Sequence, residues 1–443
     1  MNWEILGDEA VGYLRHLLCL ETVNPPGNEI IACQYLADVL ARDGIESTIV
    51  ETAPTRGNLV ARLKGNGRAE PLLLMVHLDV VPVERARWKH DPFGGEIENG
   101  FVYGRGALDT KELAAMELVV LLWLKRNNVP LARDVIFMAN ADEEAGGTFG
   151  AKWMVENRPD LIRAEYAINE GGGFGTPILG KRIYGIQTGE KGTARFSLRA
   201  HGKPGHASVP QSDNAVLKLA RGLDKLGSAS FPLHVTQTAR NYVEGLSKAI
   251  GGLAGVSLRA LLEPKNNPRA FEQLPLDEGM KGLLYAMFHN TATPTKLNAG
   301  SKINVIPSVA EAQVDARLVP GQTPETFWRE LRAVLDDSYE IEFHQPTMTG
   351  IEADPQSPLY DTMVRALQRH DSDAIVLPDL VVGATDARHV TRLGTKVYGF
   401  CPMFDSASEM ERVHGDDERI SLKNVAFGTR VLYEVVSEFA QKT

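Results

Sequence analysis

Three short apolar runs in the first half of the chain each end in histidine or acidic residues. A continuous apolar run of this length is typical of a strand that is buried on both faces of a mostly parallel sheet. Ligands collect at the carboxyl ends of such strands, so we expect an imidazole and several carboxylates at one sheet edge. The runs are Leu72–Val76, Val135–Ala139 and Tyr166–Ile168, and the residues that follow them are His77-Leu78-Asp79, Asp142-Glu143-Glu144 and Glu170.

The periodicity changes twice along the chain, which predicts two domains. Helical and buried-strand patterns alternate at first, which favours an α/β fold. From about residue 188 the strands alternate polar and apolar residues, as in Thr193–Ala200 and Val309–Leu318, which indicates an α+β domain with its own half-exposed sheet. The buried α/β pattern returns after residue 349. We therefore predict a catalytic domain over 1–187 and 349–443 and an inserted domain over 188–348. Within the inserted domain, the pattern over roughly 231–295 does not indicate a particular helix or strand.

The residues after the predicted strands suit a metal-dependent hydrolase. Histidine and carboxylate ligands without thiolates favour zinc, manganese or cobalt. Two ions about 3.5–4 Å apart need a bridging carboxylate and turn a shared water into hydroxide. On an extended segment His77 and Asp79 point the same way, so Asp79 can orient the imidazole. Glu143 and Glu144 would point in opposite directions, which favours one ligand and one general base.

A structural explanation of these residues is weaker than the metal hypothesis. Taken alone, a histidine after a strand is more often a core residue, and adjacent acids are more often a solvated turn. Several buried strands that all end in unpaired acids would be costly without cations to neutralise them. The set as a whole therefore predicts a metal site.

Composition excludes several other functions. The net charge of -10 would repel phosphate backbones, so we predict no nucleic-acid partner. The three cysteines lack paired spacing, which favours a reducing compartment. No apolar stretch reaches the roughly 18 residues of a membrane helix, and the N-terminal stretch is acidic where a signal peptide is basic. We predict a cytoplasmic protein that does not contact membranes.

Five ordered motifs make the chain resemble a known family. They are HLDVVPV at 77–83, YGRGALDTK at 103–111, ADEEAGG at 141–147, GHAS at 205–208 and GATDAR at 383–388. Their order and spacing resemble the co-catalytic zinc metallopeptidases and deacylases, which include aminoacylase, acetylornithine deacetylase, succinyl-diaminopimelate desuccinylase and the zinc carboxypeptidases G and S. The resemblance covers essentially the whole chain. Residues 77–109 are most similar to the carboxypeptidase S-like branch.

The resemblance implies a role for each site residue. Asp109 would bridge two divalent metal ions, which are zinc by analogy, with cobalt or manganese as alternatives. His77 and Glu170 would complete one metal position, and Glu144 and His414 the other. It also implies that Glu143 is the general base, that Asp79 orients His77, and that the Asp109–Thr110 peptide bond is cis.

The same resemblance gives the inserted domain a role as a lid and dimerisation domain. His206 would reach the active site of the partner subunit in a homodimer and stabilise the tetrahedral oxyanion. Arg317 and Arg388 would bind the substrate carboxylate, because a guanidinium fork suits that group. Asn304 and the turn from Gly383 would add polar contacts.

We therefore predict hydrolysis of an amide bond in a small peptide or N-acyl amino acid, by a metal-bridging hydroxide with Glu143 as base. A carboxypeptidase or dipeptidase is favoured over an N-acyl amino-acid deacylase such as acetylornithine deacetylase or succinyl-diaminopimelate desuccinylase. A catalytically inactive ligand-binding protein is a more distant alternative. A dinucleotide site at Gly171-Gly172-Gly173 is rejected because the GxGxxG spacing is missing. A Cys401 nucleophile is disfavoured because no base is assigned to it.

Overall fold

The computed structural model describes residues 3–265, 267–405 and 407–442. The chain forms two compact units. The first comprises the chain up to Thr188, then Ala353–Asp379, and the chain from Thr385 onward. The second comprises Gly189–Glu352 and the short segment Leu380–Ala384. The mixed α/β class with a mostly parallel central sheet is confirmed.

The helices of the described residues are numbered in chain order. They are α1 Trp3–Leu18, α2 Ile30–Arg42, α3 Lys111–Arg126, α4 Ala151–Asn157, α5 Pro159–Ile162, α6 Ala215–Gly227, α7 Gln237–Ile250, α8 Gly252–Ala260, α9 Asn267–Gln273, α10 Glu278–Phe288, α11 Pro324–Val334, α12 Pro358–His370, α13 Ala387–Val390, α14 Ala407–Met410 and α15 Leu422–Gln441. Short 3₁₀ turns lie at Arg85–Arg87, Glu143–Ala145 and Thr391–Leu393. None of the described helices combines the length and apolarity that crossing a lipid bilayer requires.

The strands are numbered in the same way. They are β1 Ser47–Ala53, β2 Arg56–Leu63, β3 Leu72–His77, β4 Glu96–Glu98, β5 Phe101–Tyr103, β6 Val135–Asn140, β7 Tyr166–Asn169, β8 Phe174–Ile178, β9 Lys181–Glu190, β10 Gly192–Thr193, β11 Phe196–His201, β12 Gly205–His206, β13 Thr291–Ala299, β14 Val305–Ile306, β15 Val309–Leu318, β16 Tyr339–Phe343, β17 Ile351–Glu352, β18 Ile375–Val381, β19 Lys396–Gly399 and β20 Arg419–Ser421.

The first unit is built on a sheet whose strands run in the order β1-β2-β6-β3-β7-β19-β9. Its centre, β6-β3-β7-β19, is parallel. Every residue of β3, β6 and β7 is buried, because helices and loops cover both faces of the sheet. α3 is buried along almost its whole length and packs against α1 and α15. A separate small sheet, β20-β5-β4, lies in the same unit.

The second unit has an antiparallel sheet in the order β16-β11-β15, with β13 on the other side of β15. β15 alternates buried and more exposed residues along its length, as its sequence predicts. α6 and α11 supply the apolar side chains that cover the buried face, with Phe196 and Phe327 at the centre of the core. The region over 231–295, whose sequence pattern indicates no particular element, contains α7 to α10 and the start of β13.

Candidate metal centre

The three predicted strands end side by side in the first unit. β3 pairs in parallel with β6, and His77 lies opposite Asn140 at the end of both strands. β7 pairs with the other side of β3. The segments that follow these strands therefore start from one edge of the sheet, which is where parallel sheets present ligands.

One carboxylate faces two imidazoles at this edge. Asp109 Oδ1 lies 3.0 Å from His77 Nε2, and Asp109 Oδ2 lies 2.9 Å from His414 Nε2. Glu170 Oε2 is 3.6 Å from His77 Nε2, and Glu144 Oε1 is 3.1 Å from His414 Nε2. The structure thus brings all five sequence-predicted ligands into one row, with the proposed bridging carboxylate in the middle. The Asp109–Thr110 peptide bond is cis, as the resemblance implies.

The spacing of the donor atoms fits divalent metal ions. Ligand atoms of His77, Asp109 and Glu144 lie within 4.8 Å of one another, and so do those of His77, Glu143 and Glu170. Donors that each lie about 2 Å from an ion are separated by about 4 Å at most. Nitrogen and carboxylate donors without thiolates suit zinc, cobalt and manganese.

The turn that carries Glu143 and Glu144 is not extended, so that premise of the sequence argument is wrong. The two residues open a 3₁₀ turn, and Asp142 before them adopts a left-handed conformation with φ of 71°. Their carboxylates nevertheless face different groups. Glu144 faces His414, and Glu143 Oε1 lies 3.6 Å from the guanidinium of Arg388. A division between one ligand and one base is therefore compatible with the geometry.

Asp79 contacts both the imidazole of His77 and the turn that carries Glu143 and Glu144. His77 Nδ1 is 3.0 Å from the backbone oxygen of Asp79 and 3.5 Å from its Oδ1, so the backbone is the nearer partner. The carboxylate accepts hydrogen bonds from the backbone N–H groups of Glu143, at 3.0 Å, and Glu144, at 3.2 Å. Asp79 thus links the orientation of His77 to the position of the acidic turn.

Two residues that the sequence did not single out support this link. Asn24 Nδ2 donates to Asp79 Oδ2 at 2.8 Å and to Asp142 Oδ1 at 3.1 Å. Arg56 Nη2 donates to Asp142 Oδ1 at 2.8 Å and also pairs with the buried Glu29. No local motif reveals these contacts, because the partners are 27 to 118 residues apart.

Burial raises the free-energy cost of keeping this cluster of carboxylates ionised. Burial raises the pKa of Glu143 well above its usual range, and the charges of Glu170 and Asp386 raise it further. Burial also raises the pKa of Glu170, although His77 opposes it, and raises the pKa of Asp386 to about 7. Divalent cations are the groups that would neutralise such a set.

Of the remaining predicted residues, Arg388 lies beside Glu143 in the first unit, and the other four group with the second unit. Arg388 belongs to α13 of the first unit, and its Nε lies 3.3 Å from His389 Nε2. Gly383 lies in the Leu380–Ala384 segment, which groups with the second unit.

The other three lie in the second unit. His206 is exposed on β12, with its Nδ1 2.7 Å from Ser208 Oγ. The backbone oxygen of Asn304 accepts a hydrogen bond from the N–H of residue 207, next to the pairing of β12 with β14. Arg317 on β15 pairs with Asp315 at 2.7 Å.

Residues 73–438 match peptidase family M20/M25/M40. The chain belongs to this family. It is 30% identical over 389 residues to the N-fatty-acyl-amino acid synthase/hydrolase PM20D1 of Bos taurus, covering 84% of this chain and 74% of that protein. It is also 30% identical over 389 residues to the probable carboxypeptidase S-like 2 of Dictyostelium discoideum, covering 83% and 71%.

The fold is shared with a solved M20 family metallo-carboxypeptidase from Sulfolobus solfataricus. The TM-score is 0.72 at 22% sequence identity, over 98% of this chain and 99% of that chain. Family membership confirms the predicted class of enzyme. The protein is a metal-dependent hydrolase of amide bonds in peptides or N-acyl amino acids.

Proposed function

We propose that the protein releases an amino acid with a free carboxylate by hydrolysing the amide bond before it, as a carboxypeptidase or dipeptidase does. The observation that carries this proposal is the Asp109 carboxylate, whose two oxygens face two different imidazoles. A carboxylate in that position suits two ions and not one.

The proposal includes two metal positions. His77, Asp109 and Glu170 would hold one ion, and Asp109, Glu144 and His414 would hold the other. Zinc is the first choice for these nitrogen and oxygen donors, with cobalt or manganese as alternatives. When bound, such a pair of ions polarises the scissile carbonyl and lowers the pKa of a water shared between them.

Glu143 is the proton carrier in this proposal. Its carboxylate is buried among the ligand residues but faces Arg388 instead of His414. It takes a proton from the attacking water at one carboxylate oxygen and passes that proton to the leaving amine. Asp79 keeps this carboxylate in place through the backbone N–H of Glu143.

In this proposal Arg388 is the main residue that binds the substrate carboxylate. Its guanidinium lies next to the proposed base, so a carboxylate bound there lies close to the scissile amide. This favours substrates that end in an amino acid with a free carboxylate. Arg317, Asn304 and Gly383 are proposed to add further contacts to the substrate.

N-acyl amino acids form a second candidate substrate class. They carry the same terminal carboxylate and the same amide, and differ only in the group on the nitrogen. The 30% identity to PM20D1, which is named as an N-fatty-acyl-amino acid synthase and hydrolase, favours this class.

We also propose a homodimer in which His206 of the partner subunit stabilises the oxyanion. His206 is exposed on the small two-stranded sheet of β12 and β14, as a residue that acts across a subunit boundary must be. Exposed large apolar side chains are frequent in the same unit, which suits a protein interface. They include Val209, Leu217, Leu297, Ile303 and Val305.

A cytoplasmic location is part of the proposal. Its support is the three cysteines, which are all unpaired, two of them buried. Buried free thiols are the usual state in a reducing compartment.

The decisive experiment is a substrate panel with metal control. Dipeptides and N-acetyl, N-succinyl and long-chain N-acyl amino acids are incubated with chelator-stripped enzyme, and again after zinc, cobalt or manganese is restored. We expect metal-dependent release of a free amino acid, with dipeptides as the better substrates. Preference for N-acyl amino acids would support the second candidate, and no turnover with any metal would refute both.

A variant pair tests the proton carrier. Glu143→Gln keeps the shape of the side chain but cannot accept a proton, so it should retain metal binding and lose nearly all turnover. Glu156→Gln, an exposed residue that pairs with Arg392, is the matched control and should behave as wild type. Wild-type turnover in Glu143→Gln would exclude Glu143 as the base.

A further inference from the structure

Two strands of the small sheet bring the loops of Asp109 and His414 together. β5 pairs antiparallel with β20, with Tyr103 opposite Arg419. The segment that leads to Asp109 starts at Gly104, directly after β5, and the segment that follows His414 ends at Glu418, directly before β20. The backbone N–H of Gly104 donates to the backbone oxygen of Glu418 at 3.0 Å.

The side chain of Glu418 crosses from the His414 loop to the Asp109 loop. It is completely buried. Its Oε1 accepts hydrogen bonds from the backbone N–H groups of Gly106, at 3.1 Å, and Leu108, at 2.8 Å. One carboxylate oxygen therefore fixes two peptide groups in the loop that leads to Asp109.

Arg105 makes the opposite crossing, from the Asp109 loop to the His414 loop. Its Nη1 pairs with Glu418 Oε2, and its Nη2 donates to the backbone oxygen of His414 at 3.1 Å. The guanidinium is 3% exposed and lies 5.2 Å from the ring centroid of Trp88. Both partners are thus held in fixed orientations and cannot exchange with solvent.

We propose that Glu418 and Arg105 are positioning residues that fix His414 against Asp109 and thereby set the metal affinity of one of the two positions. This rests on the proposed function. The affected position is formed by Asp109, Glu144 and His414. Its two loops are joined through the pair, and His414 Nε2 lies 2.9 Å from Asp109 Oδ2.

The other metal position depends on this pair only through Asp109, which both positions share. His77 is the last residue of β3, and Glu170 directly follows β7, so both are placed by the central sheet. If the pair only stabilised the fold, removing it would lower the metal affinity of both positions equally. If the pair positions His414, removing it lowers mainly the metal affinity of the position that includes His414. This difference separates the two explanations.

The test is a cobalt titration of the chelator-stripped, full-length protein, followed by calorimetry and by the visible absorption of bound cobalt. Wild type should bind two ions. Glu418→Gln keeps one oxygen acceptor for the backbone but loses the charge that holds Arg105. We expect it to bind the first ion as wild type does and the second about tenfold to a hundredfold more weakly. Excess metal should restore most of its turnover.

Two further variants complete the test. Arg105→Lys keeps the charge but cannot reach both Glu418 and the His414 carbonyl, so it should show the same selective loss. Asp416→Asn removes a charge from the same loop, where Asp416 pairs with Arg87, a residue on the surface, and should bind both ions normally.

The positioning role would be overturned if Glu418→Gln and Arg105→Lys bound both ions with wild-type affinity. It would also be overturned if metal affinity fell equally at both positions. Fewer than two ions in wild type would instead refute the proposed function, so the two failures are distinguishable.

Discussion

Asn24 lies between two buried carboxylates, and its replacement by leucine removes a hydrogen-bond donor from both. The side-chain amide donates to Asp79 at 2.8 Å and to Asp142 at 3.1 Å. Asp79 and Asp142 are 0% and 2% exposed, so water cannot replace the amide freely. Leucine has a similar size and leaves the backbone N–H of residue 24 bonded to Val80.

The expected loss of stability follows from the two lost hydrogen bonds. A hydrogen bond to a charged group contributes about 1.5–3 kcal/mol, so Asn24→Leu should lower the free energy of unfolding of the first unit by about 3–6 kcal/mol. Asp79 also fixes the backbone of Glu143 and Glu144, so turnover should fall by about tenfold or more.

The assay is guanidinium unfolding followed by tryptophan fluorescence, together with turnover at saturating metal. Fluorescence reports mainly on the first unit, which contains Trp3, Trp88, Trp123 and Trp153, whereas Trp328 lies in the second. Asn157→Leu is the matched control, because Asn157 is exposed and donates only to one carbonyl. A loss below about 1 kcal/mol with normal turnover would refute the reasoning, since surface changes alone stay within about 0.5 kcal/mol.

Three further changes test buried charges elsewhere. Glu117 has no hydrogen-bond partner among the described residues and burial raises its pKa well above 4.5, so it stays neutral when folded but ionises when unfolded. Wild type therefore loses stability as pH rises above about 4.5, and Glu117→Leu should be the more stable form in urea unfolding, by a margin that widens from pH 5 to 8. A less stable variant at pH 8 would contradict this. Burial lowers the pKa of Lys191 to about 7 from 10.5, so the stability of wild type relative to Lys191→Met should rise between pH 7 and 10.5; a flat difference would count against it. Arg56→Met leaves Glu29 and Asp142 buried without a cation and should cost about 3–5 kcal/mol in denaturant unfolding, whereas a neutral effect would show that the pair is dispensable.

Local patterns in the sequence predict the strands that build the site. The run at Leu72–Val76 predicts β3, which the structure extends by one residue to His77. The alternation over Val309–Leu318 gives the bounds of β15. In both cases the burial of each residue is set by a sheet period that is visible within ten residues.

Tertiary contacts are the part that the sequence does not reveal. Arg105 and Glu418 are 313 residues apart, and each looks like an ordinary surface charge in its own segment. The sequence does not predict the turn at Glu143, because the left-handed conformation of Asp142 is not predictable from an aspartate alone. α8 to α10 are too short to show a clear helical period, whereas α7 has a helical pattern that our sequence-based prediction missed.

Metal stoichiometry in an Asp109→Asn variant tests the two-ion account most directly. The chelator-stripped protein is dialysed against micromolar zinc, and bound metal is counted by mass spectrometry in wild type and in the variant. If Asp109 bridges, wild type retains two ions per chain, and the variant loses tight binding at both positions although the other four ligands remain. If the variant keeps one ion at wild-type affinity, Asp109 serves a single position and the bridged centre is wrong.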